Sequence, residues 1–182
     1  PPCTYTMSSP GKSMKAKESS TLLKVTALGD NCVAPSITPV EGWITASVKK
    51  WEKNKGSVKV TVEKNNSSIA RNGSVMIEGQ SFAVSQKGQK CVIQGMVPSS
   101  QFVPVTGGAY SFLFAIYPND CSWTASTTSA FLHIPNPSGT GTQTVDFSVD
   151  PNTTLKKQYG KITMLLPESG KKKNFFVKQA AN

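Results

Sequence analysis

Ser57-Val58-Lys59-Val60-Thr61-Val62-Glu63 alternates a polar side chain with a valine at every step. A strand sends successive side chains to opposite faces, so a period of two marks a β-strand that buries one face and wets the other. The same pattern returns as Val145, Phe147 and Val149, displaced by 87 residues.

Outward from these two strands, a whole unit repeats. Cys3 falls on Cys91, Cys32 on Cys121, Trp43-Ile44 on Phe131-Leu132 and Asn65 on Asn152. Gly73-Ser74-Val75 falls on Gly160-Lys161-Ile162, and Phe82-Ala83-Val84-Ser85-Gln86 on Phe175-Phe176-Val177-Lys178-Gln179. The offset stays between 87 and 93, with the extra residues in a hairpin. Glycine- and asparagine-rich turns, among them Leu28-Gly29-Asp30-Asn31, Lys53-Asn54-Lys55-Gly56 and Asn136-Pro137-Ser138-Gly139, separate the apolar runs. Composition points the same way: 14 glycines and 12 prolines among 182 residues, with only 16% charged, suit short strands joined by many turns. An all-β chain of two tandem β-sandwich domains is expected, residues 1–88 and 89–182, joined at Lys87-Gly88-Gln89-Lys90. Residues 33–42, which hold Pro35 and Pro39, fit no strand.

The four cysteines stand at positions 3, 32, 91 and 121, with gaps of 29, 59 and 30. Two near-equal gaps suggest one disulfide per repeat, Cys3 with Cys32 and Cys91 with Cys121. There is no Cys-x-x-Cys, and His133 is the only histidine, so zinc ribbons, thioredoxin-type chemistry and c-type haem attachment lack their ligands. Disulfides persist in oxidising compartments, which points to a secreted or surface-exposed protein. No charged segment followed by an apolar one opens the sequence, so an export signal is expected to have been removed or to lie outside this stretch. The most apolar run, Phe112 to Tyr117, is far short of the roughly 20 residues of a membrane helix, and no membrane span is expected.

Both copies resemble the BACON-type family, immunoglobulin-like modules of secreted bacterial proteins named after a suggested link to carbohydrate. The resemblance rests on an early Cys and a later one, followed in the second copy by Ser122-Trp123-Thr124-Ala125, and on the pair Trp43-Ile44. It rests further on a valine-rich strand, an Asn turn and a last strand ending in Gln, most specifically Asn72-Gly73-Ser74-Val75-Met76-Ile77-Glu78-Gly79-Gln80-Ser81-Phe82-Ala83-Val84-Ser85-Gln86. The first copy departs from the pattern with Cys32-Val33-Ala34-Pro35, where the tryptophan beside the second cysteine is missing. The resemblance implies two tandem immunoglobulin-like sandwiches in a bacterial secreted or cell-surface setting. It constrains function weakly, since function lives in sites grafted on a fold.

Catalysis has no visible machinery. Ten acidic residues are scattered singly, Glu41 and Glu63 are not set apart by any spacing, and His133 lies in the strand-like run Phe131-Leu132-His133-Ile134. No phosphate-binding glycine loop and no calcium ladder occurs, so no enzyme activity, cofactor or metal is expected. Trp43 and Trp123 read as core residues. The strongest surface candidate is Lys49-Lys50-Trp51-Glu52-Lys53-Asn54-Lys55-Gly56, a basic turn-rich loop with one indole. There Trp51 stacks on a sugar ring while Lys49, Lys50, Lys53 and Lys55 supply hydrogen bonds, or Trp51 caps the open end of the sandwich. Its counterpart, Asn136 to Gly141, has no aromatic residue.

A net charge of +10 attracts polyanions. Nucleic acid is not the expected partner, because only Trp51 and Tyr159 lie beside lysine clusters. The Asn-x-Ser/Thr triplets at Asn65, Asn66, Asn72 and Asn152 are read as turns in a bacterial protein rather than as glycan acceptors. Two functions follow. The first is a non-catalytic adhesion or carbohydrate-binding module whose partner is a polysaccharide or other cell-surface polymer. The second is a structural spacer, or a filament or matrix subunit that self-associates through edge or terminal strands.

Overall fold

Valine at every second position commits residues 55–62 to a strand with one face in the core, and the same alternation organises each of two compact units, Pro1–Gln89 and Lys90–Asn182. The structure is a computed structural model that describes residues 2–182. The first unit contains β1 (Thr4–Met7), β2 (Gly11–Met14), β3 (Ser19–Leu28), β4 (Ile37–Pro39), β5 (Ile44–Glu52), β6 (Lys55–Val62), β7 (Arg71–Ile77) and β8 (Gln80–Gln86). They form two sheets, β1-β3-β6-β5 and β2-β8-β7-β4. Leu23, Val25, Val58, Val60 and Val62 of the first sheet close on Val75, Ile77, Phe82 and Val84 of the second, and none of the nine is more than 3% exposed.

The second unit repeats the plan with β9 (Val92–Val97), β10 (Ser100–Val103), β11 (Gly108–Tyr117), β12 (Ser122–Thr127), β13 (Leu132–His133), β14 (Ser138–Thr140), β15 (Gln143–Val149), β16 (Gln158–Leu166) and β17 (Lys171–Gln179). Its sheets are β13-β15-β11-β9 and β10-β17-β16-β12-β14. Phe114 and Phe147 stand where the first core has Val25 and Val60, and the core is aromatic: Phe112 stacks on Phe175 at 4.2 Å between centroids, and Phe147 meets Phe175 edge-on at 5.6 Å. In both units the opening strand is split. Its first half joins one sheet antiparallel, and its second half crosses to the other sheet and runs parallel to the last strand, as β2 does with β8 and β10 with β17. Each unit is thus an immunoglobulin-like sandwich of otherwise antiparallel strands.

One disulfide braces each unit, Cys3–Cys32 and Cys91–Cys121. Gly29 has φ +134° beside the first bond, where a Cβ would stand 2.9 Å from Cys32 Sγ, so conformation and space both call for glycine. Residues 33–42 depart from the sequence expectation, because Ile37–Pro39 pairs with β7 as an edge strand. Proline is tolerated there because an edge strand needs only half of its backbone donors.

The copies also diverge where the sequence aligns them. β5 stays paired with β6 along nine residues, whereas β13 leaves β15 after two and the chain crosses to pair β14 with β12 on the opposite sheet. Ile134-Pro135-Asn136-Pro137 explains the switch, since two prolines remove the donors that a continued ladder would use.

Candidate functional site

The basic segment at Lys49–Lys55 is a hairpin rather than an open loop. β5 and β6 run antiparallel into a two-residue turn in which Lys53 and Asn54 both have positive φ, 47° and 64°. That backbone follows the twist of the flanking strands, as type I′ turns do. Asn54 fixes the turn: its Oδ1 accepts from the Cys32 amide at 2.9 Å, and its Nδ2 donates to the Gly29 carbonyl at 2.6 Å. The ladder shifts register between Val48 and Lys50, so Lys49 is the extra residue of a β-bulge and the alternation changes phase after it.

Trp51 and the neighbouring lysines consequently part company. Trp51 pairs with Gly56 on the core side, while Lys50 pairs with Ser57 and Glu52 with Lys55 on the solvent side. The indole packs against Tyr5 with centroids 6.0 Å apart, and its Nε1 donates to the Cys32 carbonyl at 2.9 Å. A Cβ at position 56 would reach to 2.6 Å from Trp51 Cε3, so Gly56 provides the seat. The structure does not bring Trp51 onto one surface with Lys50 and Lys55, because the sheet lies between them. Trp51→Ala is therefore expected to destabilise the first unit by about 2 kcal/mol, less than full burial of an aromatic ring would imply. A urea titration checks this, and a change below about 0.5 kcal/mol would mark the indole as an ordinary surface group.

The lysines find other company. On the solvent face of the β1-β3-β6-β5 sheet, one row holds Lys24, Ser57 and Lys50, the next Thr26, Lys55 and Glu52, and the row on the other side Leu22 and Lys59. With strands spaced about 4.8 Å apart, four ammonium groups rise from one patch roughly two strand spacings across, and Lys24, Lys50 and Lys55 line a depression in it. Glu52 is the only carboxylate in these rows, 3.3 Å from Lys50 with both side chains 68% exposed. Such an exposed pair is worth at most about 1 kcal/mol and leaves the patch strongly positive. Lys24 and Lys59 are members that a local motif search misses. Their signal was the strand alternation itself, which places them on the same wet face as Ser57. The second unit has Leu113 and Asp146 at the equivalent positions, so the fold does not demand this charge.

The remaining candidates have structural employment. Trp123 is 2% exposed and donates through Nε1 to the Gly141 carbonyl at 3.0 Å. Trp43 packs against the core of the first unit, as expected, but at its margin: it is only partly buried, with the Arg71 guanidinium 4.2 Å above its ring. Glu41 accepts from the Ser74 amide at 2.7 Å. His133 Nε2 lies 2.8 Å from Asp150 Oδ2, with both side chains more than half exposed beside a shallow groove lined by Ala109, Ser111, Ile134 and Asp146. Among the described residues no three His, Cys, Asp or Glu side chains converge as metal ligands would.

No family model matches the chain, and no curated protein matches it. Among solved structures it is similar to a Bacteroides ovatus GH5 xyloglucanase in complex with a XXXG heptasaccharide, at 17% identity and a TM-score of 0.44, over 51% of this chain. The chain spans 19% of that enzyme. It is similar over 98% of its length to the titin domains z1z2 in complex with telethonin, at 8% identity, 96% coverage of that chain and a TM-score of 0.44. The tandem Ig repeats of Dlar align over 98% of both chains at 11% identity, with a TM-score of 0.34.

Proposed function

We propose that this chain is a non-catalytic binding module of BACON type from a secreted or cell-surface bacterial protein, and that its first unit holds an acidic polysaccharide or comparable polyanionic surface polymer. The observation that carries this reading is the lysine face of Lys24, Lys50, Lys55 and Lys59 with a single carboxylate among them. Clustered cations on a low-dielectric wall concentrate anionic ligands and speed their capture. A polysaccharide suits the face better than nucleic acid does, because no aromatic ring stands among these lysines to receive bases. Two disulfides per chain fit an oxidising, extracellular setting, and no helix among the described residues is long and apolar enough to cross a membrane.

Assembly through sheet edges is less well supported. β5 is a nine-residue edge strand, but it carries a bulge at Lys49 and charges at Lys50 and Glu52, the devices that keep edges from pairing.

Affinity electrophoresis through gels containing polygalacturonate tests the reading. Lys24→Ser/Lys50→Ser/Lys59→Ser should weaken retention by roughly fivefold to a hundredfold at low salt, given a few tenths to about 1 kcal/mol for each exposed charge. Salt should weaken parent binding in parallel, as screening of exposed charges requires. Equal retention of parent and variant, or equal retention of the parent by neutral cellulose derivatives, would sink the proposal.

A further inference from the structure

The outer face of the other sheet in the second unit carries three exposed rings. Phe102 is 60% exposed, Tyr159 68% and Phe176 56%. Register places Phe102, Lys178 and Tyr159 in one row across β10, β17 and β16, and Ser100, Phe176 and Lys161 in the next. Phe176 is thus diagonal to both other rings, about 7 Å away, and Phe102 lies about 10 Å from Tyr159 with one strand between them. The rings and Ser100 line a shallow depression. Lys178 Nζ sits 5.8 Å from the Tyr159 centroid. Beyond Phe176 the face becomes polar, where Thr163 Oγ1 donates to Asn174 Oδ1 at 2.9 Å next to Ser126. No carboxylate occurs in any of these rows.

The first unit serves as an internal control. At the equivalent places on its β2-β8-β7 face stand Ser13 for Phe102, Asn72 for Tyr159 and Ala83 for Phe176, with Ser85 and Ser74 for Lys178 and Lys161. The same sandwich therefore forms with a small polar face, so the rings and their lysines are not required by the fold. Three large apolar groups gathered on a wet face stand against the usual scatter of single exposed hydrophobics.

We propose that Phe102, Tyr159 and Phe176 form a stacking platform for the sugar rings of an acidic polysaccharide, whose carboxylates or sulfates meet Lys161 and Lys178. This rests on the reading that the chain binds an anionic polymer, and it adds a second site on the second unit that recognises rings rather than charge alone. Flat aromatic faces accept the C–H faces of pyranoses, the interleaved lysines select for anionic sugars, and the Thr163–Asn174–Ser126 row supplies hydrogen bonds to hydroxyls.

The test compares the full chain with Phe102→Ser/Tyr159→Asn/Phe176→Ala, which installs the first unit's residues at the same places. Retention is measured in gels containing polygalacturonate, alginate or hyaluronate, and in gels containing polyphosphate, a polyanion without rings. The variant is expected to lose roughly tenfold or more on at least one polysaccharide, as the loss of aromatic stacking implies, and to keep its polyphosphate retention. Unchanged retention by all three polysaccharides would overturn the platform while leaving the lysine-face reading intact. Failure of the parent on every polymer would remove both. Equal loss on polyphosphate would mean that the rings act only through the fold, again overturning the platform. Should the variant fold poorly, NMR of the parent decides: the three rings' signals must shift on adding oligosaccharides of at least one of the three polymers, and signals static to all three refute the site. A parent that dimerises while the variant stays monomeric would assign the face to a second copy of the chain instead.

Discussion

Replacing Cys91 and Cys121 together with alanine is expected to lower the thermal midpoint of the second unit by roughly 15 °C or more. The bond closes a loop of 30 residues. In the chain-entropy treatment such a loop contributes roughly 3.5 kcal/mol by restricting the unfolded chain, and each kcal/mol moves the midpoint of a domain this size by about 4–8 °C. Packing adds to that figure, because Cys91 is 5% exposed and Cys121 0%, both inside the hydrophobic cluster of the unit. The first unit offers the comparison. Its bond spans 29 residues, nearly the same loop, but Cys3 is exposed and only Cys32 is buried. Cys3→Ala/Cys32→Ala should therefore lose the entropic share and little more, a smaller drop in its own unit. Calorimetry of both double variants, after thiol labelling shows no free sulfhydryl in the parent, reads the difference. Midpoints within about 3 °C of the parent in both variants would contradict the account, since less than 1 kcal/mol would then separate the bridged and open chains.

How much of this was legible beforehand depends on the range over which each signal acts. Alternation in Ser57–Glu63 is local and self-reporting, so β6, its counterpart β15 and the two-sandwich plan could be read directly. The near-equal cysteine gaps carried the disulfides for the same reason. The candidate site was only half legible. Lys49-Lys50-Trp51-Glu52 contains nothing that marks a β-bulge, and the bulge alone decides that Trp51 faces inward while Lys50 faces water. Lys24 and Lys59 join Lys50 through strand neighbours, and Phe102, Tyr159 and Phe176 come from three separate strands. A face composed across a sheet exists only once register is known, and register is a property of pairing rather than of any one segment. Pro135 and Pro137 announced that a strand would stop, but not that the chain would resume on the opposite sheet.

Asn152→Ala should cost about 4 kcal/mol, more than any surface substitution in either unit. The side chain is 2% exposed and makes five hydrogen bonds. Its Nδ2 donates to the carbonyls of Lys156 at 2.8 Å and Ala180 at 2.7 Å, tying the segment after β15 to the end of β17. Its Oδ1 accepts from the Thr154 amide, the Thr154 hydroxyl and Gln158 Nε2. At roughly 0.5–1 kcal/mol net per bond, with a further penalty for partners left unpaired away from water, the sum reaches the figure given. Asn65 repeats the motif in the first unit, donating to the Ile69 and Lys87 carbonyls and accepting from the Ser67 amide. Both Asn-x-Ser/Thr triplets thus use their amides as buried turn braces. Asn152→Asp separates this role from mere space filling. It preserves volume and the acceptor, but turns a second carboxylate oxygen towards the Lys156 and Ala180 carbonyls. If hydrogen bonding governs, aspartate is as harmful as alanine or worse, because a buried charge without a cation is costly. If shape governs, aspartate is nearly silent, and chemical denaturation of the two variants side by side tells which.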